Sequence, residues 1–273
     1  MLSYYARKIH RRSLLTVKAI SQSLAATRGP RQRARVVLIG GVQRSGTNLL
    51  MDILESSLET DVFHETDPRA FRDYEMRPVE DIQRLIAASK ARIVVVKTLC
   101  ELQDMGRLVT VFAPAKALWI VRNYNDMVNS HLRTWSGCPE RIERLVADRD
   151  SAAWRGRGMS DETHALLSRL FHPGLDDASA VALFWYFRNV LFFEQELDKN
   201  DAVTVVSYER LVRSINEEFE RIFSFIDAKY HPFTSPHVSK RSVRKNPAPE
   251  IEPSIKALCD TLLERFQSLA STR

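Results

Sequence analysis

The stretch VVLIGGVQRSGTNLLMDIL, residues 36–54, constrains the fold more than any other part of the chain. Its four leading apolar residues predict a buried strand, two glycines end that strand, and residues 43–48 form a polar turn that is expected to be exposed. Apolar residues then recur at helical spacing from Leu49. A strand, a Gly-containing turn and a helix start direct backbone N–H groups and the positive helix end toward one point. The stretch therefore predicts an α/β domain with a site for an anion such as phosphate.

The polar turn differs from the loop that binds nucleoside triphosphates, in which Lys directly follows the second Gly. Here Gly46 is followed by Thr47 and Asn48, and the basic residue, Arg44, comes before the Gly. Arg44 and the hydroxyl groups of Ser45 and Thr47 can add charge-assisted contacts to an anion. The alternative for this stretch is an ordinary joint between a strand and a helix, without a ligand.

Four more apolar runs predict buried strands, at residues 61–63, 93–96, 117–121 and 203–206, and helical patterns separate them. Continuous apolar strands that alternate with helices are typical of a parallel sheet covered on both faces. The chain is therefore predicted to be an α/β protein of three layers, with a central parallel sheet of about five strands flanked by helices. The aromatic residues of the helix predicted at 178–197 are expected to belong to the core.

The charge of the chain is unevenly distributed. The net charge is +6, but residues 1–51 contain ten Lys and Arg and no Asp or Glu, so the remainder carries a net charge of −4. Basicity confined to one end argues against a general nucleic-acid surface. Residues 1–27 predict a basic helix, which can lie on an anionic membrane, act as an organelle transit peptide, or pack on the domain.

Composition also indicates the cellular location of the protein and its division into domains. The three cysteines (Cys100, Cys138 and Cys259) have neither metal-ligand nor redox spacing, which favours reduced thiols and a cytoplasmic location. No apolar stretch approaches the ~18 residues of a membrane span.

We expect a basic N-terminal arm at residues 1–35 and one domain at 36–273. Within that domain, residues 136–177 are predicted to be a partly helical insertion covering a site, and 231–253 to be a basic, Pro-rich cofactor loop.

Two motifs together resemble one enzyme family. The sequence Arg-Ser-Gly-Thr at 44–47 resembles the 5′-phosphosulfate loop of sulfotransferases, which use 3′-phosphoadenosine 5′-phosphosulfate (PAPS). The sequence LWIVRNYNDMVNS at 118–130 resembles the 3′-phosphate segment of the same family, and this implies that Arg122 and Ser130 bind the 3′-phosphate. Asn125 or Asp126 is predicted to cap the helix that carries Ser130.

Further segments follow the order of the family. Lys97-Thr98 resembles the Lys-Thr of the cytosolic enzymes, although Leu99 stands where those enzymes have a catalytic His. The segment from Tyr208 resembles the family's Tyr-Glu-Asp-Leu, and 240–246 stands where the family has a basic loop closing over the cofactor. The closer resemblance is to bacterial-type and carbohydrate sulfotransferases.

In those relatives the base is a Glu near the end of the second strand. The matching position is Glu65, with His64 beside it and Glu101 as a less direct candidate. Lys97, at the end of a neighbouring strand, can help to keep the Glu65 carboxylate ionised and can neutralise charge on the bridging oxygen.

The resemblance implies in-line transfer of a sulfuryl group from PAPS to a hydroxyl or amine, with 3′,5′-adenosine bisphosphate as product. The implied catalytic residues are Glu65, His64 and Lys97, and no metal is implied. The implied cofactor contacts are Arg44, Ser45, Gly46, Thr47, Asn48, Arg122, Ser130, Tyr208, Arg241 and Lys245.

The sequence does not distinguish among a small molecule, a carbohydrate and a lipid as the acceptor. Two other functions also stay open. One is a nucleoside-triphosphate-dependent kinase of P-loop architecture. The other is a non-catalytic protein that keeps the fold and binds a membrane surface.

Overall fold

The computed structural model describes residues 15–24, 33–230 and 246–272. Its strands, in chain order, are β1 (Arg35–Gly40), β2 (Thr60–Phe63), β3 (Phe71–Arg72), β4 (Glu75–Met76), β5 (Ile93–Lys97), β6 (Ala115–Val121) and β7 (Val203–Ser207). Five of them form a parallel sheet in the order β2-β5-β1-β6-β7, and β3 and β4 form a separate antiparallel hairpin. The predicted parallel sheet of about five strands is confirmed.

Helices cover both faces of the sheet. They are α1 (Thr47–Ser56), α2 (Val79–Ala88), α3 (Met105–Val111), α4 (Tyr124–Leu132), α5 (Cys138–Ala147), α6 (Asp161–Leu170), α7 (Asp177–Glu194), α8 (Tyr208–Arg213), α9 (Ile215–Phe225) and α10 (Pro253–Thr272). Residues 15–24 are also helical. Short 3₁₀ turns lie at Leu102–Asp104, Ala153–Arg155 and Leu197–Lys199. The described helices include none that is long and apolar enough to cross a lipid bilayer.

Each face of the sheet has its own apolar core. Alternate strand residues point to opposite faces, so Val36 and Leu38 of β1 belong to one cluster and Val37 and Ile39 to the other. The aromatic helix α7 packs on the first face, where Trp185 is fully buried. This confirms that the aromatic residues of α7 are core, and it explains why the strands read as unbroken apolar runs.

Two local predictions were wrong. Helix α1 begins at Thr47, before the predicted Leu49, so the Thr47 side chain is buried at 4% exposure instead of lying in an exposed turn. The cap of α4 is Asn123, whose side chain accepts a hydrogen bond from the N–H of Asn125. A cap must precede the first helical residue, and α4 already begins at Tyr124.

The helical residues 15–24 dock on β2, the edge strand of the sheet. The buried Lys18 donates from Nζ to the carbonyl of Glu55 at 2.7 Å and to the Thr60 hydroxyl at 3.2 Å. Gln22 donates to the carbonyls of Leu58 and Thr60 at 3.0 and 2.9 Å. This part of the arm therefore packs on the domain, while residues 1–14 and 25–32 lie outside the described residues.

Candidate functional site

The loop after β1 offers donors to an anion. Gly46 precedes α1 with φ at 99°, and a Cβ there would come within 2.3 Å of the Tyr208 ring. Glycine is needed because this backbone conformation and this close contact both exclude a side chain. Gly46 cannot cap α1, so the first N–H groups of the helix have no side-chain cap. The buried Ser45 hydroxyl has no hydrogen-bond partner among the described residues. Unsatisfied donors around one point fit an anionic ligand.

Arg44 joins the loop to helix α4. Its Nε donates to the Ser130 hydroxyl at 3.0 Å, and its guanidinium lies 5.6 Å from the centre of the Trp135 ring. Arg44 adopts a positive φ of 70°, which is uncommon for a residue with a side chain. Because β1 and β6 are neighbours in the sheet, the segments that follow them meet. The structure thus brings together two motifs that are distant in sequence.

Arg122 stands at the end of β6, against the same loop. Its guanidinium donates to the carbonyl of Arg44 at 3.1 Å and lies 4.5 Å from the centre of the Tyr208 ring. The indole N–H of Trp185 donates to the carbonyl of Arg122 at 3.0 Å, which fixes the strand end. Tyr208 therefore touches both the loop, at Gly46, and Arg122. The loop after β1, the end of β6 and the segment that begins at Tyr208 therefore meet at one place.

Lys97 and Glu65 form a pair beside the loop. Because β2 and β5 are parallel neighbours, the residues after their ends meet, and Lys97 Nζ lies 2.6 Å from Glu65 Oε1. Lys97 Nζ also donates to the side-chain oxygen of Asn48. Lys97 is 1% exposed, and burial lowers its pKa although Glu65 acts in the opposite direction. The pair places a carboxylate and an amine next to the loop that follows β1.

His64 lies next to Glu55 and, unlike Glu65, does not line the adjacent cavity. Its Nε2 lies 3.8 Å from the carboxylate of Glu55, which belongs to α1. Glu101 is also turned away, since its Oε1 accepts the N–H of Met76 at 2.7 Å and holds the β3–β4 hairpin. Burial raises the pKa of Glu101 to about 7. Of these three carboxylate and imidazole groups, Glu65 is the one that lines the adjacent cavity.

A cavity of about 420 Å³ opens beside Glu65 and beside Gln43 of the loop that follows β1. One wall comes from residues 136–177, which contain α5, the 3₁₀ turn at Ala153–Arg155 and α6. Its apolar lining is Leu99, Trp135, Ile142, Leu145, Trp154 and Phe184. Concave, mostly apolar sites of this size with a few polar groups are typical of small-molecule binding.

His131 is a polar group of this cavity that the sequence reasoning missed. It is 6% exposed, and neither ring nitrogen has a hydrogen-bond partner within the described part of the chain. Burial, followed by the charges of Arg141 and Arg44, lowers its pKa to about 4, so the ring is neutral near pH 7. Its position directly after Ser130 on α4 is the signal that could have singled it out.

Two implied cofactor contacts, Arg241 and Lys245, lie outside the described residues, as does most of the 231–253 loop. Within residues 15–24, 33–230 and 246–272, no group of three or more His, Cys, Asp or Glu side chains could hold a metal ion. The predicted absence of a metal stays a prediction.

Comparison with known proteins identifies the family of this architecture. The family model for the sulfotransferase domain matches residues 34–252. The sulfotransferase domain of the Synechococcus PCC 7002 olefin synthase is similar in structure, with a TM-score of 0.55, 13% identity, and coverage of 88% of this chain and 97% of that one. A sulfotransferase from Alicyclobacillus acidocaldarius has a TM-score of 0.50 and 16% identity, covering 89% of this chain and 97% of its own. The sulfotransferase domain of the curacin biosynthetic pathway has a TM-score of 0.50, 13% identity, and coverage of 89% and 98%. No curated protein matches the chain significantly.

Proposed function

The chain belongs to the sulfotransferase family and is a sulfotransferase, and from this premise we propose that its sulfuryl donor is PAPS and that Glu65 activates a small acceptor. The observation that carries the proposal is the meeting of the two motifs, with Arg44 Nε 3.0 Å from the Ser130 hydroxyl. A nucleotide that carries a 5′-phosphosulfate and a 3′-phosphate on one ribose needs two anion sites at the same edge of the sheet. The family match does not favour the kinase or the non-catalytic alternative.

The residues present fit such a donor. The buried Ser45 hydroxyl, without a partner among the described residues, and the uncapped N–H groups of α1 would hold the 5′-phosphosulfate. Gly46, Thr47, Asn48 and Arg44 complete that loop. Arg122 and Ser130 would hold the 3′-phosphate, and Tyr208 would support them through its contact with Arg122. Arg241 and Lys245 are proposed as further contacts from the sequence alone.

The protein's contribution to the reaction is to position the reactants and to stabilise the charge of the transition state. When bound, PAPS supplies the activated sulfuryl group. Sulfuryl transfer resembles phosphoryl transfer, in which the protein contributes little covalent chemistry. Glu65, at the cavity wall, would accept the proton of the acceptor hydroxyl. Lys97 would stabilise negative charge that develops near Asn48 and the loop, as a fixed cation that needs no reorganisation. His64, 3.8 Å from Glu55, would act only by orienting the segment.

The loop can be tested by substitution. Arg44→Ala should raise KM for PAPS and lower kcat/KM about 10-fold or more, because a charge-assisted contact contributes about 1.5–3 kcal/mol. Thr47→Ala should weaken PAPS binding as well, and because Thr47 is buried, its thermal unfolding must be recorded alongside. Asn216→Ala, on α9, is a matched polar surface control. Unchanged kinetic constants in Arg44→Ala would remove the loop from the site.

The donor is tested by label transfer. The enzyme is incubated in parallel with PAPS labelled in its sulfuryl group and with Mg²⁺–ATP labelled in its γ-phosphate, each with a panel of phenols, sugars and lipid alcohols. We expect sulfuryl label in a product, with an equal amount of 3′,5′-adenosine bisphosphate. Transfer from ATP and not from PAPS would overturn the proposal in favour of the kinase.

Membrane contact by the N-terminal arm is part of the proposal. Val17, Ile20 and Leu24 are 53%, 57% and 54% exposed on the docked helix, so they present an apolar face to solvent. The basic residues before position 15 would add attraction to anionic lipids. We further propose a cytoplasmic location, since Cys100, Cys138 and Cys259 are free, buried thiols. The division into an arm at 1–35 and a domain at 36–273 also stays a proposal.

This contact has a direct test. The full chain should co-sediment with anionic vesicles and dissociate at high salt, as screened charges do. Ile20→Glu should abolish sedimentation while leaving Lys18 in place, and deletion of residues 1–27 should leave PAPS binding intact but lower the unfolding temperature. The stability loss follows from the hydrogen bonds of Lys18 and Gln22 to the β2 edge. Sedimentation that is absent, or unaffected by Ile20→Glu, would leave the helix as a packing element only.

A further inference from the structure

Two arginines of the cavity beside Glu65 have no carboxylate partner in the part of the chain that the structure describes. Arg141 and Arg155 both line the cavity, and neither forms an ion pair among the described residues, which contain all 34 Asp and Glu of the chain. Arg141 donates to the carbonyls of Ser136 and Gly137. The Arg155 guanidinium lies 4.4 Å from the centre of the Trp154 ring. Neither of these contacts supplies a full negative charge to its arginine.

The two arginines are close enough to repel each other. Burial lowers the pKa of Arg155, and the charge of Arg141 lowers it further. A partly buried pair of like charges is unfavourable unless a counter-charge completes it. The carboxylates of the same cavity are engaged elsewhere, since Glu65 pairs with Lys97 at 2.6 Å and Asp73 is exposed at the rim, 3.9 Å from Arg72. An anion from outside the chain would therefore be favoured here.

His131 supplies an independent indication of a ligand. It lines the same cavity at 6% exposure, and both ring nitrogens lack a partner in the described ranges. A buried polar group without a hydrogen bond is costly. His131, Arg141 and Arg155 thus line one cavity together. The rest of the wall is apolar and aromatic, with Trp135, Trp154 and Phe184 among its members.

We propose that the acceptor is an amphipathic hydroxy acid, whose carboxylate binds Arg155 and Arg141 while its aromatic or alkyl body lies in the cavity and its hydroxyl reaches Glu65. Arg155 and Arg141 are thus assigned as specificity-determining residues. His131 hydrogen-bonds a polar group of the acceptor. The inference deepens the proposed function and depends on it only for the position of the reacting hydroxyl, since carboxylate binding itself needs no donor.

The test is calorimetric binding without PAPS, so that it does not depend on the donor. The probes are phenylalkanoates and alkanoates of graded chain length, each paired with its neutral amide. We expect the best carboxylate to bind about tenfold or more tighter than its amide, the effect of one charge-assisted contact. Arg155→Met and Arg141→Met should each reduce that preference, and Arg155→Lys should retain most of it. Arg169→Met is the matched control, because Arg169 is exposed on α6 and does not line the cavity.

The outcomes are distinct. Equal or tighter binding of the amides, a preference that survives in both Met variants, or no binding by any carboxylate would overturn the inference. If Arg155→Met does not fold, as seen by thermal unfolding, Arg141→Met and Arg155→Lys still decide it. Failure of the proposed donor would instead appear as an enzyme that binds carboxylates but does not distinguish adenosine bisphosphate from AMP.

Discussion

Replacing Glu65 by Gln should lower kcat about 10²–10⁴-fold at saturating PAPS, the usual contribution of general-base catalysis. Glutamine has nearly the same shape and its oxygen can still accept the hydrogen bond from Lys97, so the local structure should be kept. Only the capacity to take a proton is lost. The affinity for PAPS should change little, because Glu65 lies on the cavity side of the loop.

Two matched variants decide whether the effect belongs to Glu65. Glu101→Gln should retain near-normal turnover, because Glu101 holds the backbone of Met76 and does not line the cavity. His64→Ala should have a small effect, since His64 faces Glu55. Near-normal turnover in Glu65→Gln together with a collapse in His64→Ala would transfer the role of the base to the histidine.

Lys97→Met should lower kcat about 10²–10³-fold, the loss seen when one preorganised electrostatic group is removed from an active site. The ammonium group is held between Glu65 and Asn48 and cannot be replaced by water at the same position, because Lys97 is 1% exposed. Methionine matches its length and suits the buried strand end, so the fold should be kept. The measurement is kcat at saturating PAPS, with thermal unfolding as the control for stability.

The double variant Glu65→Gln/Lys97→Met tests whether the pair acts as one unit. Residues in direct contact show non-additive effects, and the two side chains are 2.6 Å apart. We expect the double variant to lose little more than the worse single variant. Fully additive losses, or a Lys97→Met enzyme of normal turnover, would contradict a shared role.

The sequence was sufficient for the fold because its signals are local. The apolar run of β1, the glycines after it and the helical spacing of α1 each depend on neighbouring residues. The buried strands follow the same rule, since both faces of the sheet are covered. The start of helix α1 was predicted less accurately. Its first turn is polar, so the apolar spacing that indicates a helix begins only at Leu49.

The geometry of the site could be predicted only in part. The contact of Arg44 with Ser130 depends on β1 lying beside β6. This order of strands cannot be predicted from the spacing of the two motifs in the sequence. The closeness of Lys97 to Glu65 follows only if β2 and β5 are neighbouring strands, and the structure has that arrangement. Arg141 and Arg155 give no sequence signal, and His131 gives only its position after Ser130, because their common surface is created by the packing of α4 and residues 136–177 around one cavity.

The central claim, a donor site with separate contacts for the 5′ and 3′ groups, is tested most directly by calorimetry with 3′,5′-adenosine bisphosphate and AMP. The account predicts that wild-type protein binds the bisphosphate about tenfold or more tighter, from the charge-assisted contacts of Arg122 and Ser130. Arg122→Ala should remove most of that preference and leave AMP binding nearly unchanged. Equal affinity of the wild-type protein for the two nucleotides would contradict the account.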